Sequence, residues 1–345
     1  MKPAAVYDVV AIGLNAVDVL VRLPAEVTPG AKHLVNDLLI QGGAPVGTAS
    51  AAVAMLGYSA AFVAKVGTNT LGEIALDQFR RCGVSVDLMI RDASSRPAIA
   101  LVEIDPATSA RTVFVNLDEY GFLRQEDIPV EVIRAAKVLM VDSYDLNASE
   151  WALRAAAGSP CRTMVDFEGG DTAHIRRLLA LATDIILPLE CGRQLSGETS
   201  PESVLRALAA ITKGQLVVTD GENGSWGWQA GKAIHQPVLP VADKVDSTGC
   251  GDAYHAGYAV GLIEGWPLEQ RMEFGTLLAA RVIGRVGGRT ALPTRKDLPS
   301  MMGAGLSDAL TRSLSRLEVE RVVPNALFGA AAAARSPSNR PEECS

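Results

Sequence analysis

The sequence lacks most of the features that mark secreted and membrane-spanning proteins. Among its 345 residues there are five cysteines, which are widely spaced and form no C-x-x-C pair. That usage is typical of buried free thiols in a reducing compartment and not of a disulfide framework or a zinc site. No apolar run is long enough to span a membrane, and residues 1–8 show no signal-peptide pattern. We therefore expect a cytoplasmic protein that does not bind membranes.

Positive charge is also scarce. The chain has 32 basic and 39 acidic residues, a formal net charge of −7, and no basic stripe. A protein that binds nucleic acid needs clustered cations to neutralise phosphates, so a polyanionic partner is not expected. A small anionic substrate stays open, because a few Arg or Lys residues can hold one.

Short β-branched, apolar runs alternate with Ala- and Leu-rich stretches of helical length. The runs are 6–13, 61–67, 138–142, 163–167, 184–187 and 216–220. Helical stretches at 49–56 and 73–82 are followed by Gly57 and Gly83, each suited to a left-handed helix end. This alternation predicts an α/β fold with a mostly parallel sheet covered on both faces.

Two segments, 19–40 and 95–115, interrupt the early α/β units. They contain β-type runs at 98–104 and 112–115 without helices between them. They could pair into a small second sheet that acts as a lid, or form two ordinary surface hairpins. The pattern alone does not decide between these alternatives.

The strongest chemical signal is the glycine-rich segment 246–252, which runs into a helical stretch at 253–260. Gly249 and Gly251 allow the backbone to approach a ligand and to point successive N–H groups at it. At a helix N-terminus such a loop favours an anion, for example a triphosphate. Asp252 would repel that anion unless it takes a proton from a substrate hydroxyl, as a general base does. The alternative is that Asp252 only caps the helix.

Three ordered motifs resemble those of one enzyme family, whereas the P-loop and G-x-G-x-x-G patterns are absent. Residues 246–258 resemble the second signature of the ribokinase-like (PfkB) sugar kinases, with Ser247, Cys250 and Tyr254 in place of Thr, Ala and Phe. The glycine pair at 42–43, the small-residue helix at 48–55 and the later Leu-Gly and Val-Gly pairs match the first signature. Residues 217–224 look like the family's strand-to-turn segment at the nucleotide.

The resemblance runs from about residue 8 to residue 293 and implies a fold. We expect a three-layer ribokinase-like sandwich with a mostly parallel central sheet and a small β-sheet lid, occupying residues 1–323. The lid segments would be about 19–40 and 95–115. Residues 324–345 have low-complexity composition and are expected to form a mobile C-terminal tail.

The resemblance also implies roles for individual residues. Asp252 matches the catalytic base, and the backbone amides of Gly249, Cys250 and Gly251 match the anion hole. Asp18 matches the residue that binds sugar hydroxyls, since one carboxylate can accept from two of them. The other predicted substrate residues flank Asp18 or come from the lid segments: Asn15, Gly42, Gly43, Gly47, Arg111 and Asn116. The predicted nucleotide residues are Thr219, Gly221 and Gly224.

Two metal ions follow from the resemblance. Magnesium should accompany ATP, because phosphoryl transfer needs its charge. A monovalent cation such as K⁺ matches carbonyl groups near Asp246, Thr248 and Gly287. The Asn-x-x-Glu segment associated with magnesium is replaced here by Pro-Leu-Glu-Cys at 188–191. Either Glu190 serves in a shifted register, or phosphates alone hold the metal.

The substrate end departs from the family pattern. Gly47 stands where the family often has an Asn that contacts the sugar. With Gly287-Gly288-Arg289, this looks closer to ketohexokinase-like and sulfofructose-kinase-like members than to ribokinase. Arg111 could meet an anionic group of the substrate, or it could be a solvated charge at a sheet edge.

These observations predict ATP-dependent phosphorylation of the primary hydroxyl of a sugar or sugar derivative, by an enzyme expected to be a homodimer. A nucleoside kinase of the same superfamily and a catalytically silent binding protein on the kinase fold stay open as alternatives. The intact Asp252 and its glycine loop weigh against the silent protein.

Overall fold

The computed structural model describes residues 6–303 and 305–320, so the tail predicted over 324–345 lies outside the described residues. The described strands, in chain order, are β1 Val9–Ile12, β2 Ala16–Arg22, β3 Leu38–Gly42, β4 Ala60–Val63, β5 Lys65–Val66, β6 Ile90–Arg91, β7 Ala98–Ile104, β8 Arg111–Asn116, β9 Val138–Asp142, β10 Arg162–Asp166, β11 Asp184–Pro188, β12 Gln215–Thr219, β13 Ser225–Gln229 and β14 Lys232–Gln236. The described α-helices are α1 Pro45–Met55, α2 Thr70–Arg81, α3 Val130–Ala135, α4 Leu146–Ala156, α5 Thr172–Leu179, α6 Leu189–Ser196, α7 Pro201–Ala209, α8 Cys250–Ile263, α9 Leu268–Val282, α10 Leu298–Met301 and α11 Asp308–Glu320. None of the helices in these two ranges is both long and apolar enough to cross a membrane.

The central sheet has eight strands in the order β14-β13-β12-β11-β10-β9-β1-β4. The six strands from β12 to β4 are parallel, and β13 and β14 add an antiparallel hairpin at one edge. All six predicted core strands are present, and 138–142 coincides with β9. The strand order reverses at β1: β4 is added on one side of β1, and β9 and the later strands are added on the other side. Ligands of such sheets bind outside the carboxyl ends of the strands near this reversal.

Helices cover both faces of the central sheet. Alternate residues of a strand point to opposite faces, and Val9 and Ala11 of β1 pack in one core cluster with α1, α8 and α9. Val10 and Ile12 pack in the other cluster, with α3 to α7. The predicted three-layer sandwich with a mostly parallel central sheet is therefore confirmed.

The two interrupting segments pair into one separate four-stranded sheet, which we call the small sheet, in the order β3-β2-β7-β8. Strand β2 runs parallel to β7, and the β2–β3 and β7–β8 pairs are antiparallel. Leu20, Val102 and Ile104 on one face are buried. The sheet alternative is thus correct and the two independent hairpins are not, because the parallel β2–β7 pairing joins segments that are distant in sequence.

Candidate active site

The glycine-rich loop 246–252 ends at the N-terminus of α8. Gly249 precedes the helix with φ of +78°, and any side chain there would overlap the backbone of Gly288. The first N–H groups of a helix have no intrahelical acceptor, and the helix dipole adds positive potential. Gly251 faces open space. The loop therefore has the geometry of an anion-binding turn with room in front of it.

Asp246 clamps this loop to the segment 287–289. Its Oδ1 accepts hydrogen bonds from the backbone N–H and the hydroxyl of Thr248, at 2.8 and 2.6 Å. Its Oδ2 accepts from the backbone N–H of Gly287 at 2.7 Å. The structure thus brings together the three residues predicted for a monovalent cation. Both carboxylate oxygens are engaged by these donors, so a cation here would rely on carbonyl oxygens.

Asp252 lies in the first turn of α8 and is half-buried. Burial raises the pKa of Asp252 well above its usual range, and the charges of Glu168 and Asp18 raise it further, whereas Arg111 and Arg289 lower it. A carboxylate with a raised pKa is a stronger base once it is ionised. The surroundings of Asp252 therefore suit proton abstraction.

Asp18, on β2, lies against the Gly42–Gly43 turn between β3 and α1. Its side chain is buried, and any side chain at Gly43 would overlap the Asp18 carboxylate. Burial raises the pKa of Asp18 to about 6, opposed by the charges of Arg289 and Arg111. The predicted sugar carboxylate and the predicted glycine turn are therefore in contact.

Asn15 and Gly47 lie beside this turn. Asn15 is fully buried, and neither its side-chain nitrogen nor its oxygen has a hydrogen-bond partner among the described residues. Gly47 is in the first turn of α1, where a Cβ would lie 3.6 Å from the carbonyl oxygen of Leu14. Buried polar groups without partners are rare, and a ligand or water is a common reason for them.

A cleft of about 420 Å³ lies between the β12–β13 turn and the N-terminus of α8. Apolar side chains, including Leu239 and Ile283, form much of its wall. The predicted nucleotide residues line it together with the anion-binding turn: Thr219, Gly221, Gly224, Ser247, Cys250 and Gly251. An apolar cleft that opens on an anion-binding turn suits a nucleotide, with the nucleobase against the apolar walls and the phosphates at the turn.

The turn between β7 and β8 reaches the glycine-rich loop. Ser109 Oγ donates to the carbonyl of Lys244 at 2.8 Å, and the carbonyl of Ser109 accepts from Ser247 N–H at 3.1 Å. Arg111 Nη1 donates to the carbonyl and the hydroxyl of Ser247, both at 3.3 Å. Asn116, at the far end of β8, is exposed and donates to Asp118. Of the two predicted residues on β8, Arg111 reaches the loop and Asn116 does not.

Glu190 lies in the first turn of α6, after the carboxyl end of β11. Its side chain is 68% exposed, and its carboxylate lies 3.4 Å from the guanidinium of Arg193. In the part of the chain that the structure describes, no three His, Cys, Asp or Glu residues are grouped to hold a metal ion. Among these residues a direct protein ligand set for magnesium is therefore not seen. The choice between Glu190 acting through water and phosphates alone stays a prediction.

Sequence reasoning missed a buried pair behind the loop. Nδ1 of His255 lies 2.9 Å from the carbonyl oxygen of Gly251, and its Nε2 lies 3.3 Å from that of Ile186. Asp166, at the end of β10, lies 3.3 Å from the same Nδ1. These contacts tie the first turn of α8 to the ends of β10 and β11. The available signal was a histidine among the mostly apolar residues that follow Asp252 in α8.

Sequence reasoning also missed the place of Arg289. Its guanidinium is buried under the Gly42–Gly43 turn, where Nη2 donates to the Gly43 carbonyl at 2.9 Å. Only the Gly-Gly-Arg sequence at 287–289 pointed to it.

Comparisons with known proteins agree on one family. Residues 8–295 match the family model described as pfkB family carbohydrate kinase. The chain is 28% identical over 255 residues to an uncharacterized sugar kinase of Archaeoglobus fulgidus, covering 70% of this chain and 98% of the relative. It is 30% identical over 285 residues to a fructokinase of Klebsiella pneumoniae, covering 74% of this chain and 90% of the relative.

A solved structure of Arabidopsis thaliana ribokinase, complexed with ribose and ATP, has the same fold. It matches with a TM-score of 0.73 at 21% identity, covering 86% of this chain and 99% of that one. The structural likeness establishes the fold, and the family model, which spans most of the chain, establishes the family. The chain belongs to the pfkB family of carbohydrate kinases, and it is an ATP-dependent carbohydrate kinase.

Proposed function

We propose that the protein transfers the γ-phosphoryl group of ATP to the primary hydroxyl of a sugar or sugar derivative, with Asp252 as the general base. The observation that carries this proposal is the position of Asp252 between two predicted sites. Its neighbour Gly251 lines the nucleotide cleft, and Asp18 is near enough for its charge to raise the pKa of Asp252. A hydroxyl held by Asp18 therefore has a base beside it and a phosphate-binding turn in front of it.

In the proposed step, Asp252 accepts the hydroxyl proton while the sugar oxygen forms a bond to the γ-phosphorus. The bond from that phosphorus to the β–γ bridging oxygen breaks, and ADP leaves. The backbone N–H groups of Gly249 and Gly251 stabilise the charge on the transferred group. The N–H of Cys250 donates to the carbonyl of Ser247 at 3.3 Å in this structure, and it joins them when that long bond is exchanged for one to a phosphoryl oxygen. Arg111, held at Ser247, adds a positive charge from the small sheet.

The preferred sugar is proposed to be of the ketohexokinase-like or sulfofructose-kinase-like kind. Gly47 removes a side chain from the sugar end, and Arg289 adds a buried cation there. The fructokinase relative, at 30% identity, is named for a ketose and supports the same direction.

Magnesium is proposed to enter with ATP, held by the phosphates. A monovalent cation such as K⁺ is proposed near Asp246, Thr248 and Gly287, whose backbone is already drawn together. Activity in K⁺ well above activity in a sodium or tetramethylammonium buffer of equal ionic strength would support that site. Equal activities would remove it.

A homodimer is proposed to form through the outer face of the small sheet. Leu38 and Ile40 of β3 and Phe114 of β8 are 55%, 55% and 54% exposed there. Exposed apolar patches of this kind mark interaction surfaces. Light scattering should show a dimer that Phe114→Asp shifts to a monomer, whereas Val130→Asp on α3 leaves it unchanged. A wild-type monomer would contradict this proposal.

The decisive test of the function is Asp252→Asn, which keeps the shape of the side chain and removes the base. Turnover should fall about 10²- to 10⁴-fold, with unchanged ADP binding by calorimetry and an unchanged melting temperature. An assay of ADP release by the wild type with D-ribose, D-fructose, D-gluconate and adenosine would identify the compound that is phosphorylated fastest, and that compound serves as the substrate. Near-normal turnover in the variant would remove Asp252 from its role. Adenosine outcompeting every sugar would favour the nucleoside kinase, and no ADP release with any compound would favour the silent protein.

A further inference from the structure

Arg289 is a buried cation whose hydrogen bonds are only partly satisfied. The residue is 7% exposed. Its Nη2 donates to the carbonyl of Gly43 at 2.9 Å, its Nε donates to the hydroxyl of Thr48 at 3.3 Å, and its Nη1 has no partner among the described residues. Burial of a charge is costly unless the charge is paired or serves a function. The position therefore needs an explanation.

Two glycines make room for this guanidinium. A side chain at Gly42 would overlap it, and a Cβ at Gly47 would lie 3.3 Å from Nη2, so that the rest of a larger side chain would enter the same space. The ring of Phe79 lies 5.1 Å from the guanidinium carbon on another side, within the range of a cation–π contact. Gly47 and Arg289 thus form a matched pair, because the absence of a side chain at Gly47 leaves the space that the guanidinium occupies.

The Gly42–Gly43 turn lies between this cation and the carboxylate of Asp18. Gly43 packs against Asp18, while its carbonyl accepts the hydrogen bond from Arg289 and its N–H donates to the carbonyl of Ala16 at 3.1 Å. Both peptide groups around Gly43 are therefore fixed, and the carboxylate that is proposed to bind the sugar rests on the turn that Arg289 supports.

The backbone of segment 287–289 belongs instead to the glycine-rich loop. Gly287 N–H is held by Asp246, and Gly288 packs against Gly249. These contacts do not involve the side chain of Arg289. Loss of that side chain therefore leaves the contacts of the anion-binding turn intact. Its effect on the phosphoryl end is limited to its charge, which lowers the pKa of Asp252.

We propose that Arg289 is a positioning residue of the sugar site, which holds the Gly42–Gly43 turn beneath Asp18 and depends on the absence of a side chain at Gly47. This inference rests on the proposed function. It predicts that Arg289 controls the affinity for the sugar and leaves the affinity for ATP unchanged.

The first test is Arg289→Met, which keeps much of the volume and removes the charge and the hydrogen bonds. With the sugar that is phosphorylated fastest, KM for the sugar should rise about 10- to 100-fold. On the alkaline plateau of the pH profile, where Asp252 is ionised with or without the charge of Arg289, we expect kcat at saturating sugar to stay within about threefold. KM for ATP should be unchanged, since the loop contacts remain. Arg289→Lys, which keeps the charge but not the fork, should give an intermediate KM and serves if the Met variant does not fold.

Arg271→Met is the matched control. Arg271 is a mostly buried arginine that bonds to Asp184 at 3.0 Å, at the start of β11 and away from the carboxyl end of the sheet. Its loss removes a similar buried cation, so the melting temperature should fall while KM for the sugar stays unchanged. A rise in the sugar KM of this control equal to that of Arg289→Met would reduce the effect to general destabilisation.

The second test is a swap. Gly47→Asn alone should raise KM for the sugar, because its side chain meets the guanidinium. In the double variant Gly47→Asn with Arg289→Ala, the space is free, so KM should lie at least about threefold below the product of the two single effects. Effects that simply multiply, or an ATP KM that rises as much as the sugar KM, would overturn the proposal.

Sugar affinity measured by calorimetry in the Asp252→Asn background separates the two proposals. A tenfold or greater loss caused by Arg289→Met in that background supports the positioning role without any turnover. Unchanged affinity there overturns the positioning role, even if Asp252 proves to be the base.

Discussion

The phosphoryl end and the sugar end of the candidate active site are built in different ways. The phosphoryl end is one continuous loop, 246–252, whose backbone faces the nucleotide cleft, with Arg111 added from the small sheet. The sugar end is assembled from Asp18, the Gly42–Gly43 turn, Gly47 and Arg289, which are up to 271 residues apart in sequence. Backbone recognition needs glycines at fixed spacing and leaves a motif in the sequence. Side-chain recognition needs only that residues meet in space.

Asp18→Asn is expected to give the largest difference between the two ends, measured as the change in KM for the sugar against the change in KM for ATP. Loss of the charged acceptor should raise KM for the sugar about 10- to 100-fold and leave KM for ATP unchanged. Because the pKa of Asp18 is about 6, sugar affinity of the wild type should also fall as the pH drops below about 6. Steady-state kinetics with each substrate varied in turn would measure both. An ATP KM that rises equally would show that the two ends are not separate.

Arg111→Met tests whether the small sheet serves the phosphoryl end. Removal of the cation at Ser247 should lower kcat about tenfold, with a smaller change in the sugar KM. The charge of Arg111 lowers the pKa of Asp252. In the variant that pKa rises, so the acidic limb of the kcat/KM profile should move to higher pH. A change confined to the sugar KM would instead assign Arg111 to the sugar end.

Glu168→Gln is expected to move the same limb in the opposite direction. The charge of Glu168 raises the pKa of Asp252. Its removal lowers that pKa, so the ionised base persists to lower pH and the acidic limb of the kcat/KM profile should shift downward. Profiles recorded beside Arg111→Met provide an internal comparison. Shifts in the same direction for both variants would argue that Asp252 is not the group that titrates.

The smallest effect is expected from Glu190→Gln. The Glu190 side chain is 68% exposed and pairs with Arg193, so its loss should change kcat and the magnesium concentration for half-maximal activity by less than about twofold. Titration of Mg²⁺ at fixed ATP, with Mn²⁺ binding to the ADP complex followed by magnetic resonance, would measure this. A large loss of metal affinity would restore the shifted-register alternative.

Local patterns predicted much of the fold. The run 138–142 coincides with β9, and the run 98–104 coincides with β7, because β-branched residues bounded by turns favour strands. Gly57 and Gly83 follow α1 and α2 with φ of +87° and +83°. The pairing of β2 with β7 could not be predicted, since register between distant segments leaves no local signal.

The sequence by itself determined the kinase class and the architecture of the phosphoryl end. A glycine at 249, an open Gly251 and Asp252 on the first turn of a helix are constraints on adjacent residues, and adjacent residues are what a motif records. Only the tertiary structure decided that Arg111 reaches Ser247, that His255 meets Asp166, and that Arg289 lies beneath Gly43. Those contacts depend on how helices and loops pack on the sheet. Packing couples residues far apart in the chain, so it decides the sugar end.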